Sequence, residues 1–155
     1  MRRERRIAPF PHRALRESPA FSIRFVVGRM QRSVDEGLTE LGFSWAQFAI
    51  LLVACETIGL SHSALAERTC LNRNTVSQTL ADLEEEALIE QRPVLDRRQR
   101  HVYPTNAARM WLPRAVEAVE QAQRTALLPL DPRERARLAA LLEKAIPPNR
   151  GIFGF

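Results

Sequence analysis

Four side chains on one short stretch carry the chemistry that stands out in this chain. Arg73, Asn74, Ser77 and Gln78 lie in the run TCLNRNTVSQTLADLEEEALI. Advancing about 100° per residue, a helix that turns Val76, Leu80 and Leu83 inward sends Asn74, Gln78, Ala81 and Glu85 outward, with Ser77 at the edge and Arg73 near the N-terminal tip. Asn74 and Gln78 then stand as adjacent amides, each able to donate to and accept from an adenine edge. Arg73 could reach guanine or a phosphate, Ser77 a phosphate or a base edge, and the small Ala81 lets the helix sit deep in a groove. A solvated helix face explains any one of these residues alone. The set, with what surrounds it, points to groove reading on double-stranded DNA.

A second cluster follows. Between Arg92 and Arg100 the chain carries Arg97, Arg98 and Asp96, so the segment holds four Arg and one Asp. Arginines at a hairpin tip can enter a narrow minor groove. Asp96, two residues before Arg98, could pair with it and set its angle. Glu84, Glu85 and Glu86 lie at the far end of the reading helix, where acid faces away from phosphate.

The elements that must position these groups share one grammar. An apolar residue precedes a capping residue, and another sits at the fourth helical position. The sets are Phe43-Ser44-Phe48, Leu60-Ser61-Leu65 and Leu71-Asn72-Val76, each a side-chain N-cap with a hydrophobic staple. Gln47 completes a capping box with Ser44. Helices are expected over about 44–57, 61–69 and 72–86. Only Cys70 and Leu71 separate the second from the cap of the third, which is helix-turn-helix spacing. Leu88 to Arg92 and Arg100 to Tyr103 can pair as strands, with Pro93 to Gln99 as the turn between them.

Long helices flank this unit. Ile23, Val27, Met30, Val34, Leu38 and Leu41 form one apolar stripe closed by Gly42. Ala108, Leu112, Ala115, Val119, Ala122 and Ala126 form a narrow heptad seam interrupted by Pro113, where a kink is expected. Asp131-Pro132-Arg133-Glu134 caps a last helix whose apolar face is Leu138, Leu141, Leu142 and Ala145, and Pro147 and Pro148 stop it. The seam suits close helix–helix approach. It fits a dimer layer built with the first and last helices, or an intramolecular bundle.

Charge and composition narrow the class further. The net charge of +5 comes from residues 1–16, where six Arg face Glu4, while residues 17–155 balance at 17 basic and 17 acidic. Local patches therefore matter more than the total. Residues 1–18 read as a flexible basic arm and 147–155 as a C-terminal tail. No apolar run approaches the roughly 20 residues that span a bilayer, and no apolar stretch follows the N-terminal arginines, so a cytoplasmic protein is expected. Cys55 and Cys70 are too few for a disulfide scaffold or zinc cage and read as two small buried hydrophobes. His12, His62 and His101 show no ligand spacing, and no nucleophile–base set is evident. Neither an enzyme nor a metal or cofactor site is expected.

The order of elements resembles the MarR family of bacterial transcription regulators over roughly residues 18–146. LGFSWAQFAILL, SHSALAERTCLNRNTVSQTLADLEEEALI and DRRQRHVYPT carry the likeness. The resemblance implies a mainly α fold with a small β-wing. A winged helix-turn-helix at 44–105 would sit inside a domain at 19–146, with helices at 21–42 and 106–146 forming a dimerisation layer. It also implies a homodimeric repressor on a pseudo-palindromic operator, released by a small aromatic or phenolic ligand. By position, Arg97 and Arg98 take the roles of wing arginines, Asp96 that of the residue orienting them, and Arg73, Asn74, Ser77 and Gln78 the recognition-helix contacts. Neither cysteine lies in the N-terminal helix, where peroxide-sensing relatives keep their reactive thiol. A thiol-based regulator, or a winged helix that binds protein and not DNA, are the alternative readings.

Three positions depart from the pattern. Ala87 replaces the usual Gly before Leu-Ile, Pro104 the Leu before Thr105, and Ala108 a common Gly. For an effector, Phe25, Trp45, Phe48, Leu52 and Trp111 could line a flat apolar crevice, with Arg24 or Arg29 for a carboxylate. Plain core packing is the competing use of such aromatics.

Overall fold

The computed structural model describes residues 13–93 and 100–146. In chain order the elements are α1 (Arg13–Arg16), α2 (Pro19–Thr39), α3 (Trp45–Glu56), β1 (Leu60–Ser61), α4 (His62–Thr69), α5 (Arg73–Glu85), β2 (Ile89–Pro93), β3 (Arg100–Pro104), α6 (Asn106–Ala126) and α7 (Pro132–Ala145). The fold is mainly α, with a winged helix-turn-helix at its centre. Residues 1–12 of the expected arm, the wing turn at 94–99 and the tail from 147 lie outside the described residues.

The cap grammar sets the helix starts. Ser44, Ser61 and Asn72 each accept the backbone N–H three residues on, and Ser44 and Gln47 close a full capping box, as do Asp131 and Glu134. Two further caps come with α2 and α6. Ser18 precedes Pro19, and Thr105 accepts from Ala108 N at 3.3 Å. Helix therefore begins at Pro19, before the apolar stripe, and α1 forms a single turn within the segment expected to be an arm, with Arg13 and Glu17 paired at 2.6 Å.

Three strands form the sheet in the order β1-β3-β2, both pairings antiparallel. β1, missed in the sequence, brings Leu60 opposite Val102. Thr105 N donates to Leu88 O at 2.9 Å, so the alternation of antiparallel pairs places Pro104 opposite Ile89 in a pair that exchanges no bond. The missing proline N–H therefore costs the β2–β3 ladder nothing, and the wing keeps its register.

Two apolar clusters meet in the chain. Ile50, Leu51, Leu65, Val76, Leu80, Leu83, Ile89 and Val102 build the core of the winged unit, and Ala108, the residue standing where Gly is common, is fully buried among them. Val34, Leu38, Phe48, Ala115, Val119 and Ala122 form the second. The alanine seam of α6 thus packs on α2 of its own chain, and a β-carbon added at Gly37 would sit 3.6 Å from Ala118 O. Read as a dimer seam, this stripe is corrected to an intramolecular one: small residues let α2 and α6 approach closely. α6 runs through Pro113 from Asn106 to Ala126, with the proline on its exposed side.

Two helices end in the same way with different residues. After α2, Gly42 takes φ 81°, Phe43 N donates to Leu38 O and Gly42 N to Thr39 O. After α5, Ala87 takes φ 56°, Leu88 N donates to Leu83 O and Ala87 N to Glu84 O. Both are Schellman ends, but the second holds a β-carbon in the left-handed region, which costs about 1 kcal/mol. Ala87→Gly relieves that strain, partly offset by the freer unfolded chain. A net gain of about 0.5 kcal/mol is expected, read as a higher urea midpoint at unchanged slope.

Candidate nucleic-acid interface

The reading helix is built from its buried side. Leu71 packs against the core, Asn72 Oδ1 accepts Thr75 N at 2.8 Å, and Val76, Leu80 and Leu83 are fully buried. With that face fixed, Arg73, Asn74, Ser77, Gln78 and Ala81 are all exposed along one side of α5. The four sequence-derived contacts therefore share a surface. Gln78 Nε2 donates to Asp82 Oδ1 at 3.0 Å, which aligns its amide along the helix. Asp82 was missed, although its i+4 spacing from Gln78 could have marked it.

Between α4 and α5 the chain turns at Cys70, with φ 57° and the thiol side exposed. The expectation of two buried cysteines is corrected here: a left-handed turn residue at a helix end projects its side chain outward. Cys55 is half-buried against the core, and burial pushes its thiol above the usual range, with Arg109 pulling partly back. A raised thiol is a poorer nucleophile at neutral pH.

At the wing base, Arg92 lies over the Tyr103 ring at 4.7 Å and pairs with Glu90 at 2.8 Å, while Arg100 is exposed. Arg92 is thereby committed to the strands. Asp96, Arg97 and Arg98 lie outside the described residues.

The acidic end of α5 does more than face away from phosphate. Glu84 accepts Gln91 N at 3.0 Å and Gln91 Nε2 at 2.9 Å, and Gln91 Oε1 meets His62 Nε2 at 2.7 Å. Glu86 accepts Gln47 Nε2 at 3.2 Å, joining the start of α3 to the end of α5. Sequence spacing gave no sign of these pairings.

The expected effector residues separate. Phe48 is buried in the second cluster, where Leu52 and Trp111 pack against it, and Trp111 lies on Phe43 with ring centroids 3.6 Å apart. Trp45 is 46% exposed and tilts on Phe48 at 5.5 Å. It lines a cavity of about 540 Å³ with Met30, Gln31, Val34, Asp35 and Gln123. Arg24, Phe25 and Arg29 are exposed on α2 and do not line this cavity, Phe25 stacking at 6.5 Å on Phe21. Of the four aromatics and one leucine expected at a crevice, Trp45 alone lines this cavity, and the charged residue in its lining is Asp35. Among the described residues no cluster could hold a metal ion, and no helix is long and apolar enough to cross a membrane.

A capped reading helix, a tight turn and a three-stranded wing define a winged helix-turn-helix protein. With α2 and α6 flanking that unit and α7 closing the chain, the fold is that of the MarR-family transcriptional regulators. The comparisons agree. A probable transcriptional regulator from Pseudomonas aeruginosa is 26% identical, with TM-score 0.75, covering 85% of this chain and 99% of that one. BpsR of Bordetella bronchiseptica, whose DNA binding is regulated by 6-hydroxynicotinic acid, is 22% identical with TM-score 0.77 over 89% and 100%. The Mycobacterium tuberculosis MarR family protein Rv2887, in complex with DNA, is 22% identical with TM-score 0.73 over 84% and 98%. No family model and no curated protein matches the sequence.

Proposed function

We propose that the chain is a homodimeric, sequence-specific DNA-binding transcriptional regulator of the MarR type. The observation that carries this reading is the exposed row Arg73, Asn74, Ser77 and Gln78 on a helix whose other side is locked into the core. An interaction face for protein would present apolar anchors there. The row presents amides, a hydroxyl and a guanidinium, the groups that read base edges and phosphates. Rv2887 in complex with DNA supports the same use of the fold. Arg97, Arg98 and Asp96 would extend the contact into the adjacent minor groove. Binding of the protein to duplex from its own upstream region is the test, and no binding at low salt would overturn the reading.

Contact by Gln78 has a specific signature. Gln78→Ala should relax base preference at one position per half-site by about 1–3 kcal/mol with the dimer intact. An unchanged preference matrix would move Gln78 off the base edges.

Regulation by a small aromatic or phenolic ligand, acting to release a repressor, fits the cavity at Trp45. BpsR, regulated by the hydroxylated aromatic acid 6-hydroxynicotinic acid, supports an aromatic effector in general, while the choice between hydroxyl and carboxylate rests on the lining here. Asp35 in the lining favours a ring that donates a hydroxyl over one that presents a carboxylate. A phenol should therefore raise the melting temperature more than the benzoate of the same ring, by about 2–4 °C for each kcal/mol of linkage. A larger shift with the benzoate would place the site elsewhere.

A further inference from the structure

β2 is an edge strand, and its outward backbone groups face no further strand. The register that bonds Leu88 to Thr105 also bonds Glu90 to Tyr103 and Arg92 to His101. The N–H groups of Ile89 and Gln91 therefore point away from β3, and Pro93 has none to offer. The outward N–H of Gln91 is taken by Glu84 Oε1 at 3.0 Å, from the last turn of the reading helix. The side chain of Gln91 repeats the contact through Nε2 to Glu84 Oε2 at 2.9 Å.

Donor logic fixes the remaining bond. A carboxylate at Glu84 only accepts, so the amide nitrogen of Gln91 must face it and the amide oxygen must face His62. The 2.7 Å contact then requires a hydrogen on His62 Nε2. One glutamine thus joins β2 to the last turn of α5 and to the first residue of α4, spanning both helices of the helix-turn-helix and the wing.

We infer that Gln91, clamped between Glu84 and His62, is a positioning residue that fixes the angle of the wing on the reading helix. This rests on the DNA-reading proposal above. Groove contacts by α5 and by the wing arginines are made on one duplex at once, so an error in that angle uncouples them. A side chain that merely filled space would need neither the two-point carboxylate contact nor a defined amide orientation.

The test has a readout independent of DNA. In the protein alone, Glu84→Ala should speed amide hydrogen exchange at Gln91 and across β2 at least about tenfold, while protection of Val76 to Leu83 in α5 stays unchanged. On the duplex, Glu84→Ala should weaken operator binding about tenfold. Combined with Arg97→Ala and Arg98→Ala together it should weaken binding no further than that pair alone, because the wing contact is already lost. A purely structural role would instead lower α5 protection and add to the effect of the pair. The swap Glu84→Gln with Gln91→Glu reverses the side-chain donor and acceptor, retains all three bonds and should restore both exchange and affinity to the level of the unaltered protein. Unchanged β2 exchange in Glu84→Ala, or failure of the swap to rescue, would overturn the clamp. Should the unaltered protein bind no duplex, the DNA reading falls and the coupling to binding falls with it, while the exchange result still decides whether Gln91 holds the wing.

Discussion

Between 50 and 200 mM salt, affinity for an operator duplex is expected to fall by roughly three to five decades. A protein that neutralises about six to ten phosphates releases that many counterions on binding, and the logarithm of affinity then declines linearly with the logarithm of salt. The body of this chain cannot supply such a slope through net charge, because residues 17–155 balance at 17 basic and 17 acidic. Within residues 17–155 the slope must come from local placement, and deleting residues 1–12 separates it from any share of the N-terminal arginines. Arg73 stands exposed at the N-terminal end of α5, Arg100 is exposed at the wing, and two acids at the far end of α5 are held by amides, Glu84 by Gln91 and its C-cap Glu86 by Gln47. With the proposed wing contacts of Arg97 and Arg98 added to Arg73 and Arg100, four per copy, two copies in the proposed dimer would offer about eight contacts. Fluorescence anisotropy across a salt series measures the slope directly. A flat response with retained binding would mean that phosphate neutralisation is not the source of affinity, and the assignment of Arg73 and the wing arginines would fail.

The helix starts were legible because caps are local: Ser44, Ser61, Asn72 and Asp131 each act on an N–H two or three residues away. The reading surface was legible for a related reason. α5 mixes polar and apolar residues with a clear period, so naming Val76, Leu80 and Leu83 as core determines where Asn74 and Gln78 point. α3 offers no such guide. WAQFAILLVACE is apolar nearly all round, and Trp45 at 46% exposure and Phe48 at 4% look alike in sequence. Which of these aromatics face a cavity is therefore not set by any period in α3. The partner of the α6 seam was equally hidden, since a stripe of small residues defines a face without saying which helix covers it. β1, with two residues, is too short to show a period. The Glu84–Gln91–His62 clamp joins residues 7 and 29 apart, beyond any helical or strand repeat.

With the seam buried inside the chain, the proposed dimer would rest on other surfaces, and the exposed ones are specific. α7 has no buried residue: Leu141 is 57% exposed, Leu142 44% and Ile146 54%. On α2, Ile23, Phe25 and Val27 are 50%, 57% and 43% exposed, at the end of the stripe that Val34 and Leu38 bury further on. An isolated helix of 14 residues is marginal in water. An amphipathic helix of that length keeps its shape by laying its apolar side on something, and among the described residues Leu138 is partly covered while Leu141 and Leu142 stay exposed. In the proposed dimer a second copy would supply that surface. Leu141→Asp with Leu142→Asp should therefore produce a monomer by sedimentation at micromolar concentration, with loss of far-UV helical signal as α7 melts. Operator affinity should fall by roughly two to four decades, because the second half-site is no longer held at high effective concentration. Exchange protection of Val76, Leu80 and Leu83 should survive, since those residues belong to a core that α7 does not touch. A variant that stays dimeric would shift the interface away from α7. A monomer that kept full operator affinity would show that one winged unit suffices for binding, and the two-fold reading of the site would fall.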